Sequence, residues 1–432
     1  MGPPNGGLGT TRPTRGRRGQ HAVLPLPAMQ LITRLEVGWV RALIPATPPM
    51  RSLPRTLRTL LLSATLLSAI AGPAFAAEAV KPGTVLVYIG TYTGKKSQGI
   101  YVSRLNPATG EMSAPELAGA MGNPSWVTIH PNHKYLFAAG EGGPKGSAIA
   151  GFTIGADGKL TPINSQAPNG NGPCHLAIDE TGKTIVVSNY GDGSISSLAI
   201  SADGQLAPST WVDKHPTLSP KQKPHGHATE FAPGNQFALS CDAGLDRIYT
   251  YRFNATTGEL SAAEPAFTPT TADTHPRHLV FSADGKFCYN IDEHSLTVTA
   301  FTFDARRGTL QQIQSLPSIP AGFDGKGGST AEIILHPSGK FLYGSNRGHD
   351  SIVTYAVDAA SGKLTLVGHT SSQGKTPRGF GVDPTGRWLV VGNQSSDSVF
   401  LFKIDQATGA LSPTGTHFEV GAPVCFKFLE VK

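Results

Sequence analysis

Six side chains able to move a proton or hold an anion fill equivalent places in a phrase that this 432-residue sequence repeats: His227, Arg277, Arg378, Glu141, Glu293 and Arg347. Arginine grips carboxylate, phosphate or a developing oxyanion through paired hydrogen bonds. Histidine or glutamate within reach of a water molecule can take its proton near neutral pH. The six together read as a site that favours a small acidic molecule.

The phrase is an apolar strand, a Pro/Asp/Gly turn, a second apolar strand and then Gly, Asn or Asp. Its copies begin at Ser125 (SWVTIHPNHKYLFAAGE), Cys174 (CHLAIDETGKTIVVSNY), His227 (HATEFAPGNQFALSCDA), Arg277 (RHLVFSADGKFCYNIDE), Ala331 (AEIILHPSGKFLYGSNR) and Arg378 (RGFGVDPTGRWLVVGNQ). One slot opens the first strand and holds the six residues just named. A second slot ends the second strand and holds Glu141, Tyr190, Ala243, Glu293, Arg347 and Gln394, preceded by Gly140, Asn189, Asp242, Asp292, Asn346 and Asn393. The two strands form a hairpin, so the start of one lies beside the end of the other. A structural slot would repeat one small residue; these vary from copy to copy, as an asymmetric site requires. Asp242, Asn393, Gln394 and Glu141 join Arg378 as expected substrate contacts. Period-two alternation turns His278 away from Arg277 and into packing. His130, His133 and His336 fall in hairpin turns and are expected to be solvated. His225 beside His227 suggests a metal, but no further spaced His or Cys completes a set, so neither metal nor cofactor is expected.

The elements that must position these residues follow from the period. Each phrase is followed by a third strand, such as SIVTYAV, then a turn such as SGKLT and a fourth strand. Four short antiparallel strands per unit of about fifty residues is the pattern of a β-propeller. Six full copies leave TVLVYIGTYT and GIYVSRL at the start and APVCFKFLEV at the end, which combine into a seventh unit. The fold class is therefore all-β: a seven-bladed β-propeller closed by N- and C-terminal strands in one shared blade. Both slots of every blade then face one mouth of the central channel. Closure leaves few open strand edges, and a monomer is expected.

The first 76 residues stand apart. Arg51, Arg55 and Arg58 precede an apolar run from Leu60 to Ala71 and an Ala74-Phe75-Ala76 site, the layout of a Sec-type signal peptide over 50–76, too short for a membrane span. Residues 1–49 read as an upstream extension from a mis-assigned start, leaving 77–432 as the exported domain, periplasmic or secreted. Nine of the 36 basic residues and one of the 30 acids lie in 1–76, so 27 bases face 29 acids in the remainder. Nucleic-acid binding, which needs a basic surface, is excluded. Cys174, Cys241, Cys288 and Cys425 form no C-x-x-C pair and read as buried thiols rather than zinc ligands or disulfides.

From about residue 84 to 432 the chain resembles the bacterial seven-bladed 6-phosphogluconolactonases and carboxymuconate lactonising enzyme. The likeness is carried by VYIGTYT, GHATEFAPGNQ, HPRHLVFSADGKFCYNIDE, AEIILHPSGKFLYGSNR and TPRGFGVDPTGRWLVVGNQ. It implies a catalytic set of His227, Arg277, Glu293 and Arg347, with Arg378 as a further cation and a small anionic lactone as partner. Hydrolysis implies a base, Glu293 or His227, an oxyanion partner, Arg277, and anion holders, Arg347 and Arg378. An export signal shifts the expected substrate from a sugar phosphate towards an unphosphorylated aldonolactone, or a carboxylated lactone that the same arginines would hold. Lactonising ring closure and a non-catalytic binding propeller are the other readings.

Overall fold

The computed structural model describes residues 79–143 and 146–432. The expected extension (1–49) and signal peptide (50–76) lie outside the described residues. Twenty-eight strands form seven four-stranded antiparallel sheets, and the only helical element among the described residues is a 3-10 turn, Gln394–Ser396. No described helix is long and apolar enough to cross a membrane.

Six blades are continuous in sequence. The seventh takes its innermost strand, Pro423–Glu430, from the C-terminal end and its other three, Val85–Thr91, Gly99–Leu105 and Glu116–Ala120, from the first described strands. The innermost strands contact one another in ring order, and the strand Pro377–Val382 packs on Pro423–Glu430 to complete the circle. Gly379 makes that approach possible: a Cβ there would stand within van der Waals overlap of the Val424 carbonyl.

Second strands are covered on both faces by neighbouring blades and so carry continuous apolar runs. Thr184–Asn189, Phe237–Asp242, Phe287–Asp292 and Trp388–Asn393 are buried throughout. Apolar clusters fill the spaces between blades, for example Phe341, Tyr343, Phe380, Leu389 and Phe402. Two tyrosines in these layers satisfy their hydroxyls across a blade gap: Tyr88 donates to Gly158 O at 3.0 Å and Tyr343 to Gly409 O at 2.9 Å.

One departure from the alternating pleat recurs in every blade. The innermost strand has a β-bulge near its start, where the pairing skips a residue. Pro276 pairs with Asp292 and His278 with Ile291, leaving Arg277 as the extra residue. Ser125, Cys174, His227 and Arg378 are extra in the same way, Ala331 and Glu332 share the skip in their blade, and Val424 fills the place in the shared blade. A bulge re-aims a side chain that alternation would send elsewhere. Five of these strands begin with proline (Pro124, Pro173, Pro276, Pro377, Pro423), which fits a strand's first residue because its missing N–H need not join the ladder.

All four cysteines are free and buried. His130 and His336 are not solvated, contrary to expectation. Each accepts from the turn behind it (Asn132 N to His130 Nδ1, Ser338 N to His336 Nδ1) and bonds through Nε2 to a carbonyl of the next blade, Gly182 O and Gly386 O, at 2.8 Å. The imidazole spans a gap between blades that a shorter side chain would leave open. His133 is exposed, as expected.

Candidate active site

The bulges and hairpin ends bring Arg277, Glu293, Arg347, Arg378, Glu141 and His227 to one mouth of the channel. Glu293 stands between two guanidiniums. Arg347 donates to Glu293 Oε1 at 2.6 Å, and Arg277 Nε lies 3.3 Å from Glu293 Oε2. Burial alone would raise the Glu293 carboxyl, but Arg277 and Arg347 hold it at about 2. Arg277 is almost wholly buried; it donates through NH1 to Ala331 O and contacts His278 Nε2 at 3.1 Å. Burial lowers its pKa to about 10, so it stays charged at neutral pH.

Three buried polar atoms here have no hydrogen-bond partner: Arg277 Nε, Arg347 Nε and His227 Nδ1. Buried donors and acceptors are rarely left unpaired, and at a channel mouth these three are free to meet a ligand. Burial, then the charge of Arg277, keeps the His227 imidazole neutral. Its ring meets Tyr190 and His278 edge to face, at centroid distances of 5.5 and 5.0 Å. Beside Glu293 a mouth cavity of about 460 Å³ is lined by Tyr190, His225, His275, His294 and Ser329. His225 stacks on Tyr190 and contacts Tyr190 O at 2.9 Å.

Arg378 makes no hydrogen bond or ion pair among the described residues. Its guanidinium carbon sits 5.5 Å from the centre of the Tyr92 ring, and Tyr92 donates to Glu141 Oε2 at 2.6 Å. Burial would lower the Arg378 pKa, but the nearby Tyr92, Glu141 and Glu293 raise it. Tyr92 follows Thr91, the end of the shared blade's second strand, so it is that blade's member of the second slot. Carrying the slot into the VYIGTYT fragment would have found it.

Asp242 and Asn393 are corrections. Asp242 is fully buried, accepts from the backbone N–H groups of His225, Gly244 and Leu245, and is paired with His215. Asn393 is fully buried and donates to Ser372 O. Both belong to the place before the second slot, which the pleat turns away from the mouth. There Asn189, Asn346 and Asn393 each donate Nδ2 to a nearby carbonyl that ties off the turn. That place carries Asn or Asp in five of six copies, a structural repeat legible beforehand. Gln394 opens the 3-10 turn, is half-buried and makes no side-chain hydrogen bond among the described residues.

His278 is also a correction. The bulge at Arg277 shifts the alternation, and His278 faces the axis, where its ring meets those of His175, His227 and Trp126. Below the mouth the channel holds a cavity of about 530 Å³ lined by Trp126, His175, Glu230, His278, Glu332 and Lys427. One trio among the described residues could hold a metal ion: Asp273, His275 and His294 offer ligand atoms within 4.8 Å of one another. It was not visible as a spaced motif because two loops bring it together. It is largely exposed, and Asp273 already pairs with His294 at 3.1 Å.

Residues 86–428 match the family described as Lactonase, 7-bladed beta-propeller. The 6-phosphogluconolactonase of Bacillus subtilis (strain 168) is 33% identical over 306 residues, covering 68% of this chain and 84% of that protein. The 6-phosphogluconolactonase of Formosa agariphila is 32% identical over 307 residues, covering 69% and 86%. Among solved structures, the periplasmic gluconolactonase of Pseudomonas aeruginosa is 35% identical with a TM-score of 0.76, covering 81% of this chain and all of that one. A ring of seven blades, an arginine-rich mouth and these relatives agree: the chain belongs to the seven-bladed β-propeller lactonase family, and it is a lactone-hydrolysing enzyme of 6-phosphogluconolactonase type.

Proposed function

We propose that the protein hydrolyses an unphosphorylated aldonolactone outside the cytoplasm, and that the mouth built from His227, Arg277, Glu293, Arg347 and Arg378 performs the reaction. The observation that carries this reading is the convergence of three unpartnered buried polar atoms, Arg277 Nε, Arg347 Nε and His227 Nδ1. Glu293 is committed to Arg347 by a hydrogen bond and to Arg277 by charge, and both guanidiniums keep it ionised. His227 is neutral and unpartnered, and it takes the proton of the attacking water.

In the first step water adds to the lactone carbonyl carbon as its proton passes to His227. The carbonyl oxygen becomes an oxyanion held by the Arg277 Nε–H, a charge-assisted bond present only as charge develops. The tetrahedral carbon then expels the ring oxygen, which takes the proton back from His227 and leaves as a hydroxyl. The product acid ionises, so one lactone and one water give one hydroxy-carboxylate and one proton. Glu293 holds Arg277 and Arg347 in register, and Arg378 and Arg347 meet the oxygens of the sugar ring.

With His227 neutral, the three guanidiniums outnumber the two slot carboxylates, Glu293 and Glu141, and Lys221 and Lys223 add positive charge along the mouth cavity, which favours a developing oxyanion. Export is supported by the sequence over 50–76, and the periplasmic gluconolactonase of Pseudomonas aeruginosa is a precedent for both location and substrate. The test is a panel of δ-gluconolactone, 6-phosphogluconolactone and muconolactone on the chain from Ala77, followed by proton release and corrected for spontaneous opening. Fastest turnover of δ-gluconolactone is expected. Exclusive use of 6-phosphogluconolactone would assign Arg378 to a phosphate, and no turnover by a folded protein would overturn the enzymatic assignment of this mouth.

A further inference from the structure

We infer that Glu332 and His278 are positioning residues for Arg277: the Glu332 carboxylate fixes the tautomer of His278, and His278 in that tautomer holds the guanidinium. This deepens the proposed function and rests on it for the catalytic role of Arg277, but the tautomer can be tested without turnover.

The polarity of the chain follows from donors and acceptors. A guanidinium has only N–H donors. At 3.1 Å from Arg277 NH1, His278 Nε2 can therefore join a hydrogen bond only as the acceptor. The ring proton must then sit on Nδ1, 2.9 Å from Glu332 Oε1. Glu332 Oε1 also accepts from Ile333 N at 3.0 Å, so it faces two donors. One state satisfies all partners: ionised Glu332, neutral His278 with Nδ1–H, and Arg277 donating to Nε2 and to Ala331 O. The other neutral tautomer, or an imidazolium, sets N–H against N–H and pushes Arg277 off its place.

Both members are buried, and neither belongs to the six residues that line the mouth. Glu332 lies next to Ala331 at the bulge of its own innermost strand, and the skip there turns it to the axis. The charged and titratable groups facing the pair are Arg277, Arg378 and Lys427 as cations and Glu293 as an anion, with His175, His227 and Glu230 across the channel. Burial raises the Glu332 carboxyl to about 7 while Lys427 and Arg277 pull it down. Protonation removes the charge that strengthens this bond, so the hold on Nδ1–H weakens as pH falls through neutrality, and the catalytic effect of Arg277 falls with it. The apparent pKa belongs to the Glu332–His278 pair.

The experiment combines ¹⁵N NMR of the histidine rings with pH profiles of δ-gluconolactone hydrolysis for wild type, Glu332→Gln, His278→Gln and the double variant. Wild type at pH 8 is expected to show His278 as the Nδ1–H tautomer, and Glu332→Gln to lose that preference. In Glu332→Gln, kcat/KM at pH 8 is expected to fall about 10–100-fold, the range typical when a partner that orients a functional histidine is removed, and the acid limb near 7 to disappear. His278→Gln puts a carbonyl acceptor where Nε2 stands, so it should keep more activity than His278→Ala and make Glu332→Gln nearly silent in the double variant. An Nε2–H tautomer in wild type overturns the inference whatever the turnover. So does an unchanged pH profile in a folded Glu332→Gln protein. Absence of lactone turnover in wild type with the Nδ1–H tautomer present would instead reject the proposed reaction and leave the positioning intact.

Discussion

Tyr92 donates its phenolic proton to Glu141 at 2.6 Å, and Arg378 stands over the face of the same ring. Tyr92 comes from the shared blade, Glu141 from the next blade on one side and Arg378 from the next on the other. The hydroxyl keeps Glu141 turned towards Tyr92, and the guanidinium of Arg378 is left without an ion pair.

Tyr92→Phe removes that restraint and lets Glu141 swing onto Arg378. A hydrogen bond to a charged group contributes about 1.5–3 kcal/mol, so KM for the preferred lactone should rise by about 10-fold or more with a smaller change in kcat. Steady-state kinetics on the two proteins decides it; unchanged KM would mean that Arg378 does not meet substrate.

Glu293→Gln weakens the grip on Arg277 and Arg347 together. If Glu293 organises the arginines while His227 is the base, His227→Ala should cost about 10²–10⁴-fold in kcat, and Glu293→Gln should retain measurable turnover. The reverse order of severity would make Glu293 the base.

The same carboxylate makes a pH-dependent contribution to stability. Its pKa in the folded chain is depressed to about 2, below the roughly 4.3 of an unfolded glutamate. The contribution is fully present above about 4.3 and is lost as pH falls towards 2. Acid denaturation of Glu293→Gln, followed by circular dichroism, should therefore be shallower than wild type between about pH 4.3 and 2.

Gly379→Ala tests how the ring closes. The added methyl would overlap the Val424 carbonyl, which is backbone and cannot rotate away. Overpacking of this kind costs about 1–3 kcal/mol, a fall in Tm of roughly 2–4 °C per kcal/mol for a large domain. A melting temperature equal to wild type would contradict the close packing of Pro377–Val382 on Pro423–Glu430.

Chelator treatment followed by dialysis should leave hydrolysis unchanged, because the metal-capable trio Asp273, His275 and His294 is not among the groups assigned to the reaction. A loss restored by added divalent ion would bring the trio into the mechanism.

Much of this was legible from one sequence because a propeller writes its geometry as a period. The spacing of Ser125, Cys174, His227, Arg277, Ala331 and Arg378 located both slots, and the two terminal fragments announced the shared blade. The bulges were not legible. They break the period-two rule at the residue that matters, which is why His278 was assigned to packing and Glu332 was passed over. Asp242 and Asn393 were drawn in by polarity, although their near-identity across copies marked them as turn fasteners. Tyr92 is hidden from the repeat because its blade is split between the two ends of the ring and carries no full copy of the phrase. His130 and His336 looked like surface turn residues because the blade they reach into is some fifty residues away.

The shared blade also sets an order in time. The ribosome delivers Pro423–Glu430 after every other described strand, yet that strand is the innermost of the sheet that also carries Val85–Thr91. Tyr92 and Arg378, some 290 residues apart, can meet in a closed ring only after this strand has docked. A polypeptide cut short before Pro423 therefore has six complete blades and no finished mouth, so lactonase activity reports on the integrity of the ring from Val85 to Glu430.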